Sequence, residues 1–136
     1  MKETDIAYLA GLFDGEGCIT ISQHRDGHAS MQCMVHMVGS YMPGLFKSYF
    51  GGCVGKVKKA QRHHQQAYLW CIHSNNAVGF LRIILPHLRL KVAEAELAIK
   101  YQALVNSNRS HRVSPEDREL RNQYKITMSE LKYSNT

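Results

Sequence analysis

The chain has 136 residues, of which 44% are hydrophobic and 21% charged, with three prolines and no biased tract; this excludes a disordered or fibrous protein and suits one domain over residues 1–136. No apolar run approaches the roughly 18 residues that span a bilayer, and the opening Met1-Lys2-Glu3-Thr4-Asp5 lacks the build of a secretion signal. The expectation is a protein with no membrane partner that is not secreted. The 17 Lys and Arg outnumber the 11 Asp and Glu, and the net charge of +6 favours a polyanionic partner.

Ile6, Leu9, Ala10 and Phe13 recur at helical spacing over Asp5 to Asp14, with Thr4 or Asp5 as cap and Gly15-Glu16-Gly17 as stop. From Cys18 to His24 the pattern switches to alternation, Ile19 and Ile21 against Thr20, Ser22 and His24, which predicts a half-buried strand. Asp26-Gly27 is a hairpin turn signal, and the return strand sets Met31, Cys33, Val35 and Met37 against Ser30, Gln32, Met34 and His36. A second helix carries Met42, Leu45, Phe46, Tyr49 and Phe50 and halts at Gly51-Gly52. Cys53 to Arg62 reads as a basic strand with Val57 inward and Lys56 and Lys58 outward, and Gln65 to His73 as its partner. Helices follow over Asn75 to Leu85, Lys91 to Val105, and from Ser114-Pro115 onward, the last with an apolar stripe of Leu120, Tyr124, Met128 and Leu131. Cys18, Cys33, Cys53 and Cys71 form no C-x-x-C pair and read as reduced core thiols, Trp70 reads as core, and His63-His64 as an exposed loop.

This order predicts an α+β domain with one four-stranded antiparallel sheet and helices on one face. The other face gathers Ser22, His24, Ser30, Gln32, Met34, His36, Lys56 and Lys58, with Arg62 close by. Such a mixture suits either a solvated face or a ribbon in the major groove of double-stranded DNA, where Gln reads adenine and Lys reads guanine or phosphate.

Leu9-Ala10-Gly11-Leu12-Phe13-Asp14-Gly15-Glu16-Gly17 closes the first helix. Gly11 and Gly15 are four residues apart, so they share one helix face and leave room for a second helix backbone. Two copies packed there about a two-fold axis bring both helix ends together, with a Glu16 carboxylate from each. With the Gly15 carbonyl, these oxygen donors suit Mg²⁺, which keeps several waters and completes its shell with substrate phosphates. The nonapeptide resembles the signature of the LAGLIDADG homing endonucleases, and the order of elements is similar to that family's domain.

The resemblance implies an αββαββα fold with a saddle-shaped sheet and, with one motif in the chain, a homodimer whose seam holds Leu9, Gly11, Leu12, Asp14 and Gly15. It assigns the metal and the catalysis to Glu16 with Gly15, where the family commonly has Asp, and gives Asp14 a structural role at the helix end. Leu85-Pro86-His87-Leu88-Arg89-Leu90-Lys91 is similar to the family's segment ahead of its long helix, which makes Lys91 the catalytic cation. A cation at a helix start opposes the dipole and calls for another reason to be there. The family often has a polar residue such as Gln past the second strand; Val38-Gly39-Ser40 offers none, leaving His36 or Ser40.

The implied activity is a Mg²⁺-dependent staggered double-strand break, with 3′ overhangs, in a long, near-palindromic DNA target. About two or three divalent ions per dimer are expected, with Mn²⁺ substituting and Ca²⁺ binding without supporting cleavage. The gene would lie in an intron or intein, and the protein in the cytoplasm, organelle matrix or nucleus of its host. A cleavage-inactive DNA-binding regulator and an intron RNA maturase are the alternatives, the latter using Arg82, Arg89, Lys100, Arg109, Arg112, Arg118 and Arg121.

Overall fold

A computed structural model describes residues 2–23, 29–108 and 112–134, which leaves His24, the Asp26-Gly27 turn and Arg109 outside the described residues. The elements are α1 (Glu3–Glu16), β1 (Gly17–Gln23), β2 (Ala29–Val38), α2 (Tyr41–Phe50), β3 (Cys53–Lys56), β4 (Ala67–His73), α3 (Ser74–Ile84), a 3-10 turn at Leu85–His87, α4 (Val92–Ser107) and α5 (Pro115–Ser134). The α+β arrangement expected from the sequence is the one observed: a four-stranded sheet in the order β1-β2-β4-β3, every pairing antiparallel. The two hairpins meet along β2 and β4, so β1 and β3 are the edges.

Alternation decides which side is covered. Ile19, Met31, Cys33, Val35, Trp70 and Ile72 face the helices and are buried against Leu9, Ala10 and Phe13 of α1, Phe46 of α2, Phe80 of α3 and Ala98 of α4. Phe80 holds the centre, its ring edge-on to Phe13, Phe50 and Trp70 at 5.1, 4.8 and 5.0 Å between centroids. Edge-to-face pairs of this kind each add about 0.5–1.5 kcal/mol beyond the area they bury. Trp70 satisfies its one polar atom by donating Nε1–H to the Gly51 carbonyl at 2.8 Å. Gly51 and Gly52 end α2 with φ of 81° and 87°, and a Cβ on Gly52 would strike the Cys71 carbonyl. Under the far end of β1, the buried Tyr101 of α4 donates to the Ser22 carbonyl at 2.8 Å.

Helix α1 runs into β1 with no loop. Glu16 is the last helical residue and Gly17 the first of the strand, with φ −83° and ψ 166°. Gly17 is required there because a Cβ would enter the Phe13 ring. The helix begins earlier than its spacing suggested, with Lys2 at the cap and no side-chain cap bond, so Thr4 and Asp5 lie in the first turn rather than capping it.

Three other expectations are corrected. Strand β3 ends at Lys56, which pairs with Tyr68, while Val54 pairs with the buried Trp70. Val54, not Val57, is therefore the inward anchor; Lys56 falls on the helix side of the sheet, and Lys58 and Arg62 lie in the loop before β4. Of the four cysteines, Cys33 alone is fully buried; Cys18 and Cys71 are half-buried and Cys53 is exposed. On α5 it is Arg121 and Met128 that are buried, whereas Leu120 is exposed.

Candidate active site

Two carboxylates end α1 in opposite surroundings. Asp14 is buried, and its Oδ atoms accept hydrogen bonds from the backbone N–H groups of Arg89, Leu90 and Lys91 at 2.8 to 3.1 Å. Burial pushes this carboxyl's pKa up, but the N–H donors of Leu90, Arg89 and Lys91 and the Lys91 ammonium outweigh it, leaving the value below that of an ordinary aspartate. Glu16, two residues on, is exposed. Asp14 thus latches α1 to the segment ahead of α4, and Glu16 is left facing outward.

The last four carbonyls of a helix have no helical partner. In α1, the Phe13 carbonyl accepts from Gly17 N–H and the Asp14 carbonyl from Lys91 Nζ at 2.7 Å. The Gly15 carbonyl then remains at the exposed end beside Glu16. Lys91 itself occupies the cap position of α4, where its charge opposes that helix's dipole, but its ammonium reaches the C-terminus of α1, where a cation is favourable. That contact supplies the reason the sequence lacked.

An open pocket of about 290 Å³ adjoins this end, lined by Asp14, Gly15, Cys18, Lys91, Glu94 and Lys132 among others. Glu94 and Lys132 went unnoticed in the sequence, although both break a stripe. Glu94 takes a buried slot on α4 with Ala98, Tyr101 and Val105, and Lys132 continues the α5 stripe from Met128. Lys132 Nζ lies 3.8 Å from Cys18 Sγ, which ties α5 to the start of the sheet.

The outer face of α1 is bare. A Cβ built on Gly11 or Gly15 meets nothing within 4 Å. Leu12 is half-buried beside them and Tyr8 is 63% exposed on the same side. Leu9, expected at a seam, is 1% exposed and belongs to the chain's own core, as does Asp14 through its latch. Both side chains are spent within the chain itself. Among the described residues, no three His, Cys, Asp or Glu side chains of the single chain are grouped to hold a metal. Glu16 and the Gly15 carbonyl are hard oxygen donors of the type Mg²⁺ takes, so they fit half a site that further oxygens must complete.

The uncovered face of the sheet brings together Ser22, Ser30, Gln32, Met34 and His36 in register: Ser22 pairs with Ser30, Cys18 with Met34, and His36 with Leu69. Ser22 and Ser30 share a hydroxyl bond of 2.9 Å, and Gln32 Nε2 donates to Met34 Sδ at 3.2 Å.

The sequence profile described as LAGLIDADG endonuclease matches residues 9–104, which runs from the motif at the end of α1 through most of α4. The chain belongs to the LAGLIDADG endonuclease family. Its fold is that of solved homing endonucleases. I-CvuI, in complex with its target in the presence of calcium, superposes with a TM-score of 0.75 at 20% identity, over 94% of this chain and 82% of that one. The archaeal intron-encoded I-Vdi141I, complexed with DNA, gives 0.73 at 13% identity over 96% and 86%. I-TnaI gives 0.66 at 16% identity over 94% and 93%. No curated protein matches the sequence at significant similarity. Helix α5 lies beyond the residues that the family profile matches.

Proposed function

We propose that the chain is a site-specific homing endonuclease that makes a staggered double-strand break in a long, near-palindromic DNA target, acting as a homodimer with divalent metal. The observation that carries this reading is the exposed end of α1, where the Glu16 carboxylate and the Gly15 carbonyl stand beside a glycine face open to a second helix. Two copies packed through Gly11, Leu12 and Gly15 bring two such ends to one dyad. The family's metal is Mg²⁺, and when bound there it supplies charge neutralisation at the phosphate and lowers the pKa of water.

The chain's own residues do the rest. Glu16 and Gly15 present oxygens at the dyad. Lys91 holds the helix end in place through the Asp14 carbonyl and puts a positive charge near the phosphate that is cut. Ser22, Ser30, Gln32, Met34 and His36 face the bases from the sheet, and the net charge of +6 draws the polyanion and makes binding fall steeply with salt. DNA is met inside a host cell, in cytoplasm, organelle matrix or nucleus, and the reading places the gene in an intron or intein.

The test is cleavage of a plasmid that carries the sequence flanking the gene's insertion point, with Mg²⁺, Mn²⁺ or Ca²⁺, comparing the native chain with Glu16→Gln. Linear product with Mg²⁺ and Mn²⁺, absent with Ca²⁺ and in the variant, is expected. Binding with no cutting under any metal would favour a DNA-binding regulator. Failure to bind DNA, with binding to intron RNA instead, would favour a maturase.

A further inference from the structure

We propose that the first row of the uncovered sheet face that β1 joins on leaving α1, Cys18–Met34–Cys71–Cys53, selects thymine in the inner part of each half-site by packing against its C5-methyl group; this rests on the DNA-cleaving reading above. The row is fixed by register. Cys18 pairs with Met34, Met34 with Cys71, and Cys71 with Cys53, so one rung of four sulfur-bearing side chains crosses all four strands. Their neighbours in sequence, Ile19, Cys33, Val35, Trp70 and Ile72, are buried on the helix side, which puts this rung on the other side.

The chemistry of the face changes along the strands. On its α1 side lies only the short rung His36–Leu69–Gly55, which β1 does not reach; on the other side the next rung is Thr20–Gln32–His73, and the one after is Ser22–Ser30. The latter two are hydrogen-bonding rungs, and they lie toward the Gln23–Ala29 end of the hairpin, away from the dyad. The sulfur rung lies beside Gly17, where the strand leaves α1, and so meets the inner base pairs. Burial pushes the Cys71 thiol's pKa up, and the nearby Cys53 adds to the shift, so the Cys71 thiol is protonated and apolar at neutral pH. Gln32 spends an amide N–H on Met34 Sδ, which holds the thioether in place on the face. Lys132 closes the rung at the β1 edge, 3.8 Å from Cys18 Sγ, where a cation meets backbone phosphate.

In the major groove guanine shows two acceptors and cytosine an amino donor, whereas thymine adds a methyl group to its carbonyl. Weak thiol donors and a thioether leave the groups of a G·C pair poorly paired, at a cost. They are polarisable contacts for a methyl group.

The experiment selects the tightest duplexes from a randomised pool in Ca²⁺, then remakes the selected duplex with deoxyuridine in place of thymine, one position at a time. Enrichment of thymine at inner positions is expected, with affinity falling about fourfold for each inner methyl removed and unchanged for outer ones. Met34→Gln, at a half-buried surface position, is expected to abolish the inner penalty while leaving outer preferences as they are. Sequence-specific binding that ignores inner deoxyuridine, or that enriches no inner thymine, overturns this proposal and leaves the endonuclease reading intact. Selection that enriches no sequence at all overturns both. A Met34→Gln chain that fails to fold leaves the deoxyuridine comparison on the native chain to decide.

Discussion

The two faces of α1 stand in opposite surroundings. The inner face, Leu9, Ala10, Phe13 and Asp14, is buried and bonded: three residues pack in the core and the fourth accepts three backbone N–H groups from 89–91. The outer face, Tyr8, Gly11, Gly15 and Glu16, touches little of its own chain. The residues of this segment therefore separate by helix face. Inner residues hold the fold, and outer ones are available to a second copy and to a metal.

That separation can be broken or sharpened by substitution. The largest effect is expected from Phe13→Ala, which removes the ring that meets Phe80 and closes on Gly17 and should cost about 3–5 kcal/mol in urea unfolding. A smaller loss would mean that the inner face does not anchor the helix. Asp14→Ala leaves the N–H groups of 89–91 without their acceptor and should cost about 3 kcal/mol, with faster amide exchange at those three positions. Gly11→Ala goes the other way. In an exposed helix interior it should raise monomer stability by about 1 kcal/mol, while weakening self-association in sedimentation because the added methyl groups hold two backbones apart. Stabilisation with unchanged association would show that the glycine face is no seam. Glu16→Gln should move the melting free energy by less than about 0.5 kcal/mol. A larger loss would give Glu16 a structural part that its exposure denies.

Much of the sheet was legible because Ile19, Ile21, Met31, Cys33 and Val35 alternate without a break, and a period of two assigns each residue to a face. Strand β3 was not, since its lysine-rich run holds two valines an odd number of residues apart. Choosing Val57 over Val54 exchanged its faces and placed Lys56 with the bases. The site was legible in part. Glu16, Gly11 and Gly15 are exposed at the end of α1, as the motif's glycines and terminal carboxylate suggested, but a motif is a string and a helix has faces. Leu9 and Phe13 stand on the same side four residues apart, and only packing shows that this side turns inward. Glu94 and Lys132 were hidden for a related reason. Each lies far from the motif in sequence, and α4 and α5 bring them to it.

The corner at Glu16–Gly17 has a consequence for measurement along DNA. With no loop between helix and strand, the Glu16 carboxylate and the first sheet residue keep a fixed offset. A strand advances about 3.4 Å per residue and a DNA strand about 3.4 Å per nucleotide, so successive rungs on one face step by about two base pairs. If two copies meet at Glu16 and cut DNA as proposed, the corner is the zero mark of a ruler, and each sheet rung is a graduation counted from the cut. On that reading, an inserted residue at this corner would shift every graduation together, moving the read sequence relative to the broken bond while the strand pairings beyond Gly17 keep their register.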